Sequence, residues 1–122
     1  MIYPESKLVV GDNCGAKRVK CIKVLRASKS AGAKPMSLTV VSVRKVKRSK
    51  RIIKGEICRG VIIRLKKNIQ RDSGMSIKFS SNSIILLDQK NVPLGSRLFG
   101  PIFKEFRFGD YPKLLSLAKT LL

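Results

Sequence analysis

The chain has no histidine, only three cysteines, and 7 acidic residues against 27 Lys and Arg. Each shortage removes a class of function. Without His, the commonest general base and the commonest metal ligand are missing. Three scattered thiols alone make a poor zinc site, so neither a metal nor any other cofactor is expected. Cys14, Cys21 and Cys58 are odd in number and form no CxxC pair. That argues against a disulfide framework and for a reducing compartment. Neither GxGxxG nor GxxxxGK[ST] occurs, so the glycine-rich phosphate cradles are absent. Uninterrupted apolar runs are short, such as Ile84–Leu87. A membrane-crossing helix needs roughly 20 residues. Pro4, Glu5 and Lys7 interrupt the start of the chain, and no signal peptide is expected there.

The acids that remain are Glu5, Asp12, Glu56, Asp72, Asp88, Glu105 and Asp110. Asp12, Asp72 and Asp88 stand beside Gly or Asn in turn-like contexts, where Asp ordinarily caps the backbone. A catalytic carboxylate pair is not expected, and the chain reads as a non-enzyme. Cys21 and Cys58 fall in apolar strand patterns and read as small core residues. Cys14 falls in a turn, open to solvent on this reading, with nothing to activate it.

What is present is positive charge. The formal net charge is +20, in 122 residues that are 43% hydrophobic. That composition supports a core in one domain without disulfide or metal staples. Such self-repulsion weakens a compact state unless a polyanion neutralises it. Nucleic acid is the leading partner and an anionic membrane surface the second. One basic run reads as readily as a solvated surface. Here clusters recur at Lys17–Lys23, Arg44–Lys54 and Arg59–Arg71 with almost no acid among them. The recurrence points to RNA contact. The candidate RNA-binding residues are Lys17, Arg18, Lys20, Lys23, Arg44, Lys45, Lys47, Arg48, Lys50, Arg51, Lys54, Arg64, Lys66, Lys67 and Arg71.

Period-two patterns give strands at Lys7–Val10, Val19–Leu25, Leu38–Val46, Ile57–Leu65, Ser76–Phe79 and Ser83–Leu87. In the second, the apolar face changes between Cys21 and Ile22, which calls for a bulge. In the fourth, Ile57, Val61, Ile63 and Leu65 are expected on one face, broken by Arg59, and Gly60 marks a bend or a close backbone approach. Ala27–Pro35 and Lys66–Ser73 read as basic loops, and Arg44–Lys54 as a projecting hairpin or loop. Pro101 and Pro112 can each open a short helix, with Ile102, Phe103 and Phe106 on one face and Leu114, Leu117, Ala118 and Leu121 on the other's. The fold class is mainly β: a small antiparallel barrel with two short C-terminal helices. The expected division is a single domain over 1–122, with barrel and ribbon in 1–95 and a helical appendix in 96–122.

Modules that read single-stranded RNA display aromatic side chains on their strands. Only Phe79 sits on an expected strand. Phe99, Phe103, Phe106, Phe108 and Tyr111 gather near the C-terminus at helical spacing, where core packing accounts for them. Recognition by phosphate contact and shape is therefore expected, and base stacking is not.

Longer motifs carry a resemblance. Leu8-Val9-Val10-Gly11-Asp12-Asn13-Cys14-Gly15-Ala16 opens the chain, and Cys21-Ile22-Lys23-Val24-Leu25 follows. Gly60-Val61-Ile62-Ile63 is followed at fixed spacing by Ser73-Gly74, Phe79 and Asn82. Pro93-Leu94-Gly95-Ser96-Arg97-Leu98-Phe99-Gly100-Pro101 comes near the end. In order and spacing these resemble the universal large-subunit ribosomal protein fourteen family, bacterial and organellar type, over the whole of 1–122. Departures include Cys14 for the usual Ser, Ser96 for Thr, Lys104-Glu105-Phe106-Arg107 for Arg-Glu-Leu-Arg, and Ala118-Lys119-Thr120-Leu121-Leu122 at the end. They mark a divergent member.

The resemblance implies a five-stranded barrel with a projecting ribbon and small C-terminal helices, at the subunit interface. It implies contact with large-subunit ribosomal RNA and bridges to small-subunit ribosomal RNA. It also implies neighbouring large-subunit proteins, those numbered three and nineteen in the bacterial series, and a ribosome-silencing factor. The protein-partner face by resemblance comprises Ser96, Arg97 and Arg107. Met1 matches the family's own start, so no presequence is expected within the chain. The lack of His, the abundance of Lys, Ile and Ser, and the departures near Lys104 and Lys119 lean toward a mitochondrial ribosome. A chloroplast or bacterial ribosome is the alternative. The alternative function is a free-standing barrel-type RNA-binding protein or RNA chaperone.

Overall fold

The computed structural model describes residues 2–25, 32, 34–47, 52–109 and 111–122. Among the described residues seven strands are present: β1 (Lys7–Val10), β2 (Ala16–Val24), β3 (Leu38–Val46), β4 (Ile57–Arg64), β5 (Ile69–Gln70), β6 (Ser76–Ile77) and β7 (Ser83–Leu87). Five of them close into a barrel in the order β1-β2-β3-β4-β7. Four of its interfaces are antiparallel. The fifth, β1 with β7, is parallel, with Val9 opposite Ser83 and Val10 opposite Ile84. This corrects the wholly antiparallel expectation, and the reason is parity. Directions that alternate around a ring with an odd number of members must repeat once.

Alternation sorts the side chains. Leu8, Val10, Val19, Cys21, Val41, Val43, Ile62, Ile84 and Leu86 fill the inside of the barrel. The opposite faces of β4 and β7 are also dry: Val61, Ile63, Ile85 and Leu87 lie beneath Leu98, Ile102, Phe103, Phe106 and Leu114. Strands buried on both faces read as continuous apolar runs, which is why Ile84–Leu87 is unbroken. Phe79 meets Phe103 edge to face at 5.1 Å in this outer layer.

The bulge expected in β2 is present, with the register against β3 shifting between Cys21 and Lys23. Further irregularities were not foreseen: between Ala16 and Arg18 and between Arg18 and Val19 against β3, and between Ile62 and Arg64 in the β4–β7 register, and this last one reorients the end of β4. It turns Leu65 into the barrel core, away from Val61 and Ile63, and Ile57, expected on their face, is exposed at the start of the strand. Gly60 is a close approach: a Cβ there would lie 2.5 Å from Ile84 Cδ1 and 3.0 Å from the Ile85 carbonyl oxygen.

The basic segment Arg44–Lys54 is not all loop, because β3 runs to Val46, paired with Ala16 of β2. Ile52 returns to the core. Arg48, Lys50, Arg51 and most of Ala27–Pro35 lie outside the described residues. A separate two-stranded ribbon is formed by β5 and β6, with Ile69 opposite Ile77; β5 lies where a basic loop was expected, and β6 in the strand expected at Ser76–Phe79.

The two C-terminal helices are reduced to one. Ile102 bridges Leu121 in parallel, and its N–H donates to the Thr120 carbonyl at 3.2 Å. That bridge keeps the chain extended as far as Phe103, so the segment after Pro101 forms only a 3-10 turn over Lys104–Phe108. Pro112 does open helix α1 (Pro112–Leu117), which buries Leu114. Ala118 ends it, and Leu121 belongs to the bridge.

Candidate nucleic-acid interface

The outer surface of β1, β2 and the end of β3 carries the charge. Lys7 stands directly opposite Lys20 across β1 and β2, and Arg18 opposite Lys45 across β2 and β3. Like charges facing each other across a ladder destabilise a sheet. A cavity of about 420 Å³ lined by Lys7, Arg18, Val19, Lys20, Arg44 and Lys45 opens over them, and none of its lining residues is acidic. A second cavity, of about 510 Å³, shares Arg18 and Lys45 with the first. It adds Lys17, Lys47, Val9 and Phe99, and Asp12 and Asn13 also line it. The two form one basic band.

The structure therefore gathers Lys17, Arg18, Lys20, Arg44, Lys45 and Lys47 of the expected set. Lys7 belongs with them and escaped the sequence reading, which looked for runs of charge. Its outward place in β1 was the available signal. Lys23, Lys54, Lys66 and Lys67 are exposed outside these cavities. Two arginines of the set face the protein. The Arg64 guanidinium donates from Nη1 to the Phe99 carbonyl at 2.6 Å and the Pro101 carbonyl at 3.3 Å, and from Nη2 to Ser83 Oγ at 3.1 Å. Burial lowers its pKa. Arg71 pairs with Glu105 at 2.8 Å and also donates to the Leu122 carbonyl oxygen. These two tie the C-terminal segment to β4 and to the β5–β6 ribbon.

A clasp holds the loop before Leu98. Asn13 Oδ1 accepts the Ser96 N–H at 2.8 Å and the Arg97 N–H at 3.0 Å, and its Nδ2 donates to Ser96 Oγ at 3.1 Å. Gly95 is needed beneath it, since a Cβ would fall 2.7 Å from Asn13 Oδ1. Ser96 and Arg97 stay exposed, as does Arg107 on the 3-10 turn.

Asp12 caps its turn as expected, accepting the Cys14 N–H at 3.2 Å. Burial raises its pKa above 3.8, partly offset by hydrogen bonds from Cys14. Cys14 is not open to solvent: it is 4% exposed. The segment carrying Leu98, bridged to Asp12, covers this turn. Burial first, then the adjacent Asp12, pushes the Cys14 thiol up to about 12. Cys21 is in the core, and Cys58 is half-buried against it. Among the described residues no group of three or more His, Cys, Asp or Glu is placed to hold a metal.

The aromatic expectation divides. Phe103 and Phe106 are buried and Tyr111 packs on Phe106 at 6.3 Å. Phe99 and Phe108 are 53% and 91% exposed. They lie beyond the outer core because the chain around them is an extended segment and the end of a short turn, with no continuous helix to aim them inward.

The sequence matches the family model described as Ribosomal protein L14p/L23e over residues 1–122. The chain belongs to this family. As an L14p/L23e member it is a structural protein of the large ribosomal subunit, with ribosomal RNA and other ribosomal proteins as its surroundings. In that setting a strip of uncompensated charge on an otherwise well-packed L14p/L23e barrel has a physical reason to persist.

Proposed function

We propose that the chain binds large-subunit ribosomal RNA through the basic band centred on Arg18 and Lys45, as a structural constituent of the subunit. The observation that carries this is the pair of like-charged cross-strand contacts, Lys7 with Lys20 and Arg18 with Lys45. Such pairs cost the isolated barrel stability, and a phosphate backbone between them removes the repulsion. Lys66 and Lys67, exposed after β4, offer further phosphate contacts, as do Lys23 and Lys54. Arg48, Lys50 and Arg51 belong to the same basic segment of sequence. Arg64 and Arg71 serve the fold in this reading, because their guanidinium groups are already engaged by protein acceptors.

The finer setting follows family resemblance. The barrel sits at the subunit interface and contributes to bridges with small-subunit ribosomal RNA. Its neighbours are the large-subunit proteins numbered three and nineteen in the bacterial series. A ribosome-silencing factor meets the exposed face of Ser96, Arg97 and Arg107, and the Asn13 clasp supports this by fixing that loop. We place the chain in a mitochondrial ribosome ahead of a chloroplast or bacterial one, on its lack of His and its departures near Lys104 and Lys119. The genome and genetic code carrying the reading frame decide this.

Sedimentation tests the proposal. The chain is expected to remain with the large subunit through a high-salt wash. Recovery of the chain free in solution, with large subunits complete without it, would contradict the proposal and favour a free-standing RNA-binding protein.

A further inference from the structure

Phe99 ends one side of the basic band, and its surroundings hold it there. Its N–H donates to the Gly11 carbonyl at 2.8 Å, and its own carbonyl accepts Arg64 Nη1 at 2.6 Å. The next residue, Gly100, has φ 81°, a conformation suited to glycine. A Cβ there would also run into the Arg64 guanidinium. The backbone is thus fixed on both sides while the residue is 53% exposed. Val9, 44% exposed, lines the same cavity as a second apolar wall. Lys17, Arg18, Lys45 and Lys47 line it as well, four cations against the single carboxyl of Asp12, with Asn13 beside it. A volume of about 510 Å³ falls within the range of roughly 300–1,000 Å³ usual for small-molecule sites.

We propose that this cavity receives one unpaired nucleotide of RNA, its base stacked on the Phe99 ring and its phosphates held by the surrounding Lys and Arg side chains. The assignment rests on the RNA-binding reading above and deepens it. A duplex keeps its bases stacked on one another, whereas a loop or bulge nucleotide offers a free face to an aromatic ring. The charge of the lining selects a polyanion. The shared residues Arg18 and Lys45 let a backbone tracked along the first cavity deliver its next nucleotide into the second. Stacking on one ring tolerates every base, so the site recognises an unpaired state and does not choose a sequence.

The chain has no Trp, so Phe99→Trp installs a single indole reporter at the site. The full chain is titrated with a single-stranded oligoribonucleotide of about 12 nucleotides, within the span such proteins cover, and with a blunt RNA duplex. The single strand is expected to quench the indole emission and the duplex to leave it unchanged. Phe99→Ala is expected to weaken single-strand binding about 5- to 150-fold with the same salt slope as the unaltered chain, since no cation is lost. Single-strand binding by Phe99→Ala equal to that of the unaltered chain, or an indole emission that saturating RNA does not move, overturns the assignment and leaves the RNA-binding reading standing. Failure of the unaltered chain to bind either RNA at low salt overturns both. Should Phe99→Ala not fold, the indole titration decides alone.

Discussion

Replacing Arg18 and Lys45 together by Gln should move stability and RNA binding in opposite directions. In the free protein the two cations face each other across β2 and β3, and the cavity they line with Lys7, Lys20 and Arg44 holds no acid, Asp12 entering only the lining of the second. Removing a like-charged cross-strand pair should stabilise the isolated barrel by about 0.2–1 kcal/mol. On RNA each side chain that neutralises a phosphate contributes about 0.7–0.9 to the slope of log K against log salt concentration. Losing two should reduce that slope by about 1.4–1.8. Against a 1 M reference, where the counterion term vanishes, this amounts to about 25- to 60-fold weaker binding at 0.1 M. Urea unfolding gives the first quantity, and filter binding to large-subunit ribosomal RNA between 50 and 200 mM salt gives the second. Unchanged affinity and slope would refute the placement of the RNA on this band. A loss of stability beyond about 1 kcal/mol would show instead that the pair supports the sheet.

Arg64→Met should behave in the reverse manner, destabilising the fold by about 2–3 kcal/mol in urea unfolding because three protein acceptors lose a charged donor, while leaving the salt slope of RNA binding as it was. Asp12→Asn should change the pH dependence of stability. Burial raises the native pKa of Asp12 above 3.8, so its contribution is complete below pH 3.8 and is lost as pH rises through the native value. The variant, compared with the unaltered chain, should therefore gain relative stability from pH 3.8 toward neutrality, and a difference independent of pH would contradict the buried carboxyl. Among the thiols, Cys58 should react first with a thiol reagent at pH 8, because it is half-buried while Cys14 and Cys21 are buried. With its thiol near 12, Cys14 has about one thiolate in ten thousand at that pH. Preferential labelling of Cys14, read by mass spectrometry, would refute the covered turn.

The sequence made some of this legible and hid the rest for identifiable reasons. Strand patterns located every strand of the barrel, and the change of apolar face at Cys21–Ile22 announced a bulge that the register confirms. The parallel β1–β7 closure followed from strand number alone, but periodicity carries no information on strand direction. The turn at Cys14 looks solvent-exposed locally and is covered by a segment more than eighty positions away, tied to it by Asn13 and Ser96. Helical spacing of Ile102, Phe103 and Phe106 misled, because the Ile102–Leu121 bridge holds that backbone extended. Charge runs identified β2 and the end of β3 as basic, yet could not separate Lys45, which faces its like-charged partner, from Arg64, which is consumed inside the fold. Only cross-strand register and hydrogen-bond partners make that distinction.

Ultraviolet crosslinking of intact large subunits, followed by mass spectrometry of the nucleotide-bearing peptides, tests the central claim most directly. The account predicts crosslinks on the peptides spanning 7–20 and 44–47, where the basic band lies. Crosslinks confined to residues 100–122, with the band peptides recovered free of RNA, would contradict it.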